Sequence, residues 1–164
     1  MAYNSKTGTL FVGTKTNQIM KYEMKEEKGD VIVDGHDGQI WGLCTHPIEA
    51  LFATGGYDNA IKIWDANTMS CIKTYEFELE QGDKTGHQIS CGHWSNDGAV
   101  IVFGTENTSS LMVFSWDTER MELQFQQQIE IPPKSKNAEV EPVSYIRFSA
   151  DSSLLGAAHM DSNL

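Results

Sequence analysis

The feature that most constrains this chain is its rhythm. Short apolar runs recur between clusters of Gly, Asn, Asp and Ser, and no stretch sustains helical spacing. Leu10-Phe11-Val12 is followed by the alternating Gln18-Ile19-Met20-Lys21-Tyr22 and by Val31-Ile32-Val33. Further runs span Ile40 to Leu43, Leu51 to Thr54, Ile61 to Trp64, Cys71 to Phe77, Ile89 to Trp94, Val100 to Phe103, Leu111 to Trp116, Leu123 to Ile131, Val143 to Phe148 and Leu154 to Ala158. Turn clusters separate them, among them Gly55-Gly56-Tyr57-Asp58-Asn59, Ser95-Asn96-Asp97-Gly98 and Ser149-Ala150-Asp151-Ser152. Period-two alternation buries one face of a strand, so the pattern predicts an all-β, antiparallel protein.

The rhythm also repeats on a longer scale. Leu51-Phe52-Ala53-Thr54-Gly55 echoes Leu10-Phe11-Val12-Gly13-Thr14 at an offset of 41, and Trp64-Asp65 returns as Trp116-Asp117 at an offset of 52. The run opening each unit keeps one apolar spacing: Ile40, Leu43, Thr45; Ile89, Gly92, Trp94; Val143, Ile146, Phe148. A period of roughly 40 to 50 residues holding four strands predicts a β-propeller.

One unit carries a sharper motif. From Gly35-His36 to Trp64-Asp65 it holds Gly-His and Trp-Asp dipeptides, Thr54 in its second strand and Asp58 in the following turn. This unit resembles a WD40 blade. The resemblance implies a hydrogen-bonded structural tetrad of His36, Thr54, Asp58 and Trp64. The chemistry suits such a set: imidazole donates and accepts, a turn carboxylate needs donors, and a buried indole N–H needs an acceptor. Other units keep less. The third has Glu106-Asn107 in the turn, the fourth has Ala157 where Thr54 stands, and the first has Asn17 and Tyr22 in place of Asp and Trp.

The stretch Gly35-His36-Asp37-Gly38-Gln39-Ile40-Trp41-Gly42-Leu43-Cys44-Thr45-His46-Pro47 is more particular still. Its Trp-Gly-Leu core followed by Thr-His-Pro resembles the echinoderm microtubule-associated protein-like family of WD40 proteins. Val143 to Asp151 and Leu154 to Asp161 are similar to that family too. The resemblance implies a non-enzymatic scaffold for protein partners, among them tubulin, microtubules or axonemal proteins. It also implies a cytoplasmic, cytoskeletal location, with the cilium or flagellar axoneme as a finer placement.

The length of 164 residues suits one ordinary domain. A seven-bladed ring at the WD40 period needs roughly 300 residues, so the expectation is an incomplete arc of about four blades belonging to one larger propeller. Residues 1–34 are expected as a partial blade (strands b–d), 35–85 and 86–140 as full blades, the latter with a long loop at 132–140, and 141–164 as a partial blade (strands a–b).

Charge and cysteine usage exclude other classes. The net charge is −11, from 12 Lys+Arg against 23 Asp+Glu. Lys6, Lys15, Lys21, Lys25 and Lys28 gather near the N-terminus, but Glu23, Glu26, Glu27 and Asp30 cancel their field, so no basic face for nucleic acid is expected. No run is long and apolar enough for a membrane span, and no membrane partner is expected. Three cysteines, Cys44, Cys71 and Cys91, do not make a disulfide framework and fit a reducing compartment. Cys91, His93 and His87 lack metal-ligand spacing, and Cys44 and His46 read as structural rather than as a nucleophile and its base. Asn107-Thr108-Ser109 matches a glycosylation acceptor but reads as a polar turn. No phosphate loop, nucleophile elbow or zincin motif occurs, so no enzyme, cofactor or metal is expected.

Binding surfaces are then the realistic sites. Propeller register places Trp41 and Tyr57 at the loop-bearing rim of the second blade, with Glu106 and Met160 at the comparable turns of the next two. Exposed aromatics are enriched at protein interfaces; packing between blades is the other role open to Trp41. Lys134 and Lys136, in the long Pro-bearing insert, are further partner-binding candidates.

Overall fold

Alternation puts one side of each run against a core, and the turn residues close hairpins between runs. The computed structural model describes residues 1–79, 86–132 and 141–159. Among these described residues it holds fourteen strands and no helix, all pairing antiparallel with their sequence neighbours within a sheet. The chain divides into two compact units, Met1–Asp37 and Gly38–Leu164.

The first unit is one sheet in the order β1 (Ala2–Asn4), β2 (Thr9–Gly13), β3 (Gln18–Glu23), β4 (Lys28–Asp34). Three strands are expected here from sequence; β1 is the addition, pairing Ala2 with Phe11, Tyr3 with Leu10 and Asn4 with Thr9. All three β1 residues are exposed, so no buried alternation marks the segment. The β2–β3 turn closes through Thr14 N–H donating to Gln18 O at 3.0 Å, with Asn17 in the left-handed region at φ 52°. Asn17 tolerates that conformation better than a bulkier side chain.

The second unit holds three sheets. One runs β5 (Ile40–Thr45), β6 (Leu51–Gly56), β7 (Ala60–Asp65), β8 (Ser70–Glu76). The next runs β9 (Ile89–Trp94), β10 (Val100–Thr105), β11 (Ser110–Asp117), β12 (Glu122–Glu130). The third pairs β13 (Val143–Phe148) with β14 (Leu155–His159). Strand β9 packs on β5 and β6, and β13 on β9 and β10. Within this unit the second and third sheets are thus each joined to the one before through their first strand, which is how propeller blades stack.

The joint has a repeated chemistry. Ile89, wholly buried at the head of β9, fits against Gly42 and Gly55; a Cβ added at Gly42 would lie 2.9 Å from its Cγ2. Val143, wholly buried at the head of β13, fills the same place against Gly104, where an added Cβ would lie 2.7 Å from its Cγ1. A branched side chain therefore sits where the facing strand has no side chain to displace. The main core continues this contact through Ala53, Ile61, Ile63, Phe103, Phe114 and their neighbours, and a second cluster of Val102, Leu111, Val143 and Ile146 joins the last sheet.

Candidate protein-interaction surface

The β5–β6 pair registers Ile40 with Gly56 and Gly42 with Gly55, leaving Trp41 as the extra residue of a bulge. A bulge re-aims the side chain it carries. Trp41 is accordingly 62% exposed, lying on Tyr57 with ring centroids 6.2 Å apart and planes 25° from parallel. Its indole N–H donates to Gln39 Oε1 at 3.3 Å, while Tyr57 N–H donates to Gln39 O at 2.9 Å. Gly38 lies so close to the turn that a Cβ would sit 2.8 Å from Asp58 N. The two aromatic rings are therefore positioned by one short segment, Gly38-Gln39, laid along the β6–β7 turn.

Glu106 lies on the corresponding turn after β10, half-buried, its N–H donating to Gln88 O at 2.8 Å. Met160, Lys134 and Lys136 fall outside the described residues.

Within the structural set, Trp64 Nε1–H donates to Thr54 Oγ1 at 2.7 Å, and the Trp64 ring stacks on Phe52 at 5.9 Å and 7°. Asp58 occupies the β6–β7 turn. His36 is buried beyond the end of β4, and its carbonyl accepts from Asn17 Nδ2 at 2.9 Å.

The sequence reading of one position changes. Gly13 pairs with Ile19 as Gly55 pairs with Ile61. Asn17 therefore corresponds to Asn59 and not to Asp58; Thr16 takes the carboxylate's place. The asparagine is a repeated feature of its own. Asn59 donates to Phe77 O at 2.6 Å and accepts from His87 N–H at 2.8 Å. Asn107 donates to Gly86 O at 2.6 Å and accepts from Gln88 N–H at 3.1 Å. Each amide thus fastens a long connection to a hairpin turn. The signal was present as Asn at 17, 59 and 107. At Asn107, in the sequence that matches a glycosylation acceptor, the amide nitrogen is already committed to Gly86 O.

His46, structural on the sequence reading, has a specific set of partners. Its Nδ1 accepts from Ile48 N–H at 3.2 Å and Glu49 N–H at 2.9 Å, which leaves Nε2 as the donor to Gly98 O at 3.2 Å on the next sheet. The ring also meets Trp94 edge-on at 4.7 Å. In Thr45-His46-Pro47 the histidine is thus a staple between sheets. Its committed nitrogens are engaged away from Cys44, whose thiol is buried and pushed well up by desolvation. Cys91 packs beside Val143 O at 3.5 Å, and its thiol is raised by burial. Among the described residues no three His, Cys, Asp or Glu side chains gather to hold a metal ion.

Residues 30–65 match the family model described as WD domain, G-beta repeat. Blade-like sheets, the Trp64–Thr54 pair and this match define a WD40-repeat protein of the β-propeller class. Over 114 residues, 70% of this chain and 11% of the relative, it is 33% identical to Echinoderm microtubule-associated protein-like 3 of Mus musculus. Over 153 residues, 93% of this chain and 20% of the relative, it is 28% identical to Echinoderm microtubule-associated protein-like 2 of the same species. It is also 29% identical over 75 residues, 46% of this chain and 22% of the relative, to Eukaryotic translation initiation factor 3 subunit I of Sclerotinia sclerotiorum. The matches span between 11% and 22% of these relatives. Within the WD40 class, the chain is similar along most of its length to the echinoderm microtubule-associated protein-like proteins.

Proposed function

We propose that this chain is part of a non-enzymatic WD40 scaffold that acts by protein–protein contact and associates with microtubules in the cytoplasm. The observation that carries the contact role is the exposed Trp41 positioned on half-buried Tyr57 at the turn end of β5 and β6, since aromatic anchors dominate protein interfaces. Microtubule association is supported by the relatives' names. Trp41, Tyr57 and Glu106 form the proposed contact set, joined on sequence grounds by Met160, Lys134 and Lys136. His36, Thr54, Asp58 and Trp64 are proposed as the bracing tetrad, a role supported by the Trp64–Thr54 hydrogen bond. The cilium or axoneme is the finer proposed location. The test is co-sedimentation of the full-length parent with polymerised tubulin at two salt concentrations. Pelleting that weakens with salt supports the reading, and no pelleting at either concentration overturns it.

A second reading is an adaptor in another multiprotein assembly, such as a ligase, trafficking or chromatin complex. The similarity to a translation initiation factor subunit favours it. It predicts no pelleting with tubulin, together with peptide retention that is lost when Trp41 and Tyr57 are replaced.

A further inference from the structure

We infer that the Trp41–Tyr57 pair seats a cationic side chain, the arginine or lysine of an extended protein segment. The inference rests on the interaction reading above and adds the chemistry of what is bound. Two observations carry it.

The first is an exposed ring held in a fixed place. Trp41 stands out on a bulge, with its edge pinned by Gln39 and one side on Tyr57. The exposed face of an indole carries the negative side of the ring quadrupole and attracts a cation placed within about 6 Å of its centroid. A ring already oriented loses little freedom on binding.

The second is charge. No lysine or arginine occurs from Gly29 to Ile61 in the sequence, and the end of the sheet that carries the pair also carries Asp58, next to Tyr57, and Glu76, which closes β8 opposite Ala60. The next cation, Lys62, is buried, with Nζ at 3.2 Å from Thr74 Oγ1. That end of the sheet therefore brings carboxylates to the pair, against a net charge of −11. An acidic side chain would meet both the ring face and this field unfavourably. A purely apolar one would gain contact area without using either. A cation uses both.

The test titrates the full chain with three fluorescent decapeptides of alternating Ser and Arg, Ser and Glu, or Ser and Leu, followed by anisotropy. The Ser-Arg peptide is expected to bind, with the other two at least tenfold weaker. Trp41→Ala is expected to weaken the Ser-Arg peptide about five- to tenfold, with Tyr57→Ala weakening it less and Trp41→Phe retaining most of the affinity. General attraction to an acidic protein fades with salt, so the ratio between wild type and Trp41→Ala is expected to persist at raised salt. Wild-type circular dichroism of the exposed-site variants secures the comparison, and Trp41→Phe supplies it if Trp41→Ala does not fold. Equal affinity in wild type and Trp41→Ala overturns the inference. So does preference for the Ser-Glu or Ser-Leu peptide, or binding of none. Tubulin co-sedimentation is a separate readout: its failure leaves a Trp41-dependent Ser-Arg affinity standing, and the reverse holds equally.

Discussion

At the residue scale, the two Trp-Asp units differ in what faces the indole N–H. Trp64 pairs across the hairpin with Phe52, and its indole N–H reaches Thr54, two residues further along that strand. Trp116 N–H donates to Ala99 O, which places it opposite Ala99; two residues further along stands Ile101, and the buried Trp116 Nε1 has no partner among the described residues. The same dipeptide is thus satisfied in one sheet and orphaned in the next, which the Trp-Asp motif alone does not reveal. Thr54→Val should leave Trp64 in the state of Trp116. The expected cost is about 1 kcal/mol, at the low end for an unmade buried bond because Trp64 is only half-buried. Urea denaturation should show it as a lower midpoint at unchanged slope. A second residue-scale feature is the serine-aspartate turn. Ser149 Oγ–H donates to Asp151 Oδ1 at 2.6 Å and Ser153 Oγ–H at 2.8 Å, holding the carboxyl down at about 2, below its ordinary value of 3.8. A depressed carboxyl contributes stability above its unfolded value and loses it as pH falls through the folded one. Carbon-detected NMR titration should therefore place the Asp151 midpoint near 2, and Ser149→Ala should move it upward, since that hydroxyl is the largest cause. A midpoint unmoved by Ser149→Ala would remove the serine from the explanation.

At the scale of elements, what was legible in the sequence followed from local alternation. The runs from Leu10 to Ala158 are strands β2 to β14 with ends moved by at most a few residues, because each displays its own period and its own turn residues. Strand β1 was not legible, because an exposed three-residue edge has no alternation to show. The joints between sheets were not legible either. Ile89 against Gly42 and Gly55 lies far apart in the chain, and nothing local marks Gly55 as the receiver of a side chain. His46 belongs to the same class. It looked like part of a family signature, and its physical task appears only when Gly98 is placed beside it. Gly98 has φ +75°, and a Cβ there would run into the His46 ring. Gly98→Ala should therefore cost about 2 kcal/mol or more, from left-handed strain and the displaced ring together. His46→Ala should cost a comparable amount by orphaning Ile48 N–H and Glu49 N–H and emptying the space beside Trp94. In the double variant the ring that collides is gone, so the two costs should sum to less than additivity. Full additivity in thermal or urea melts would show that the glycine serves its turn alone.

At the scale of the molecule, burial is unevenly spread. Every hydrophobic side chain that reaches the buried class among the described residues lies between Cys44 and Ile146. The first unit has Thr9 and His36 buried but no apolar side chain of that class, and Val31, Ile32 and Val33 of β4 stay exposed. Strand β12 shows the other end of the same gradient: Leu123 is buried, yet seven of its nine residues are exposed along the sheet edge. Local stability follows buried apolar contact, so opening free energies should follow this map rather than secondary structure, which is β throughout. The trace of binding candidates runs the other way, since Trp41 and Tyr57 lie at an exposed rim of a sheet whose interior strands, β6 and β7, are among the most buried. A rigid scaffold carrying an exposed contact needs this arrangement. Hydrogen exchange should register it directly. Amides of β6, β7, β10 and β11 are expected to exchange at least about a hundredfold more slowly than those of β2 and β3, although all are interior strands of four-stranded sheets, paired on both sides. Peptide-resolved mass spectrometry reads the comparison within one sample. Equal protection in β2, β3 and β6 would mean that ladder hydrogen bonds, and not the core from Cys44 to Ile146, set the stability of these sheets.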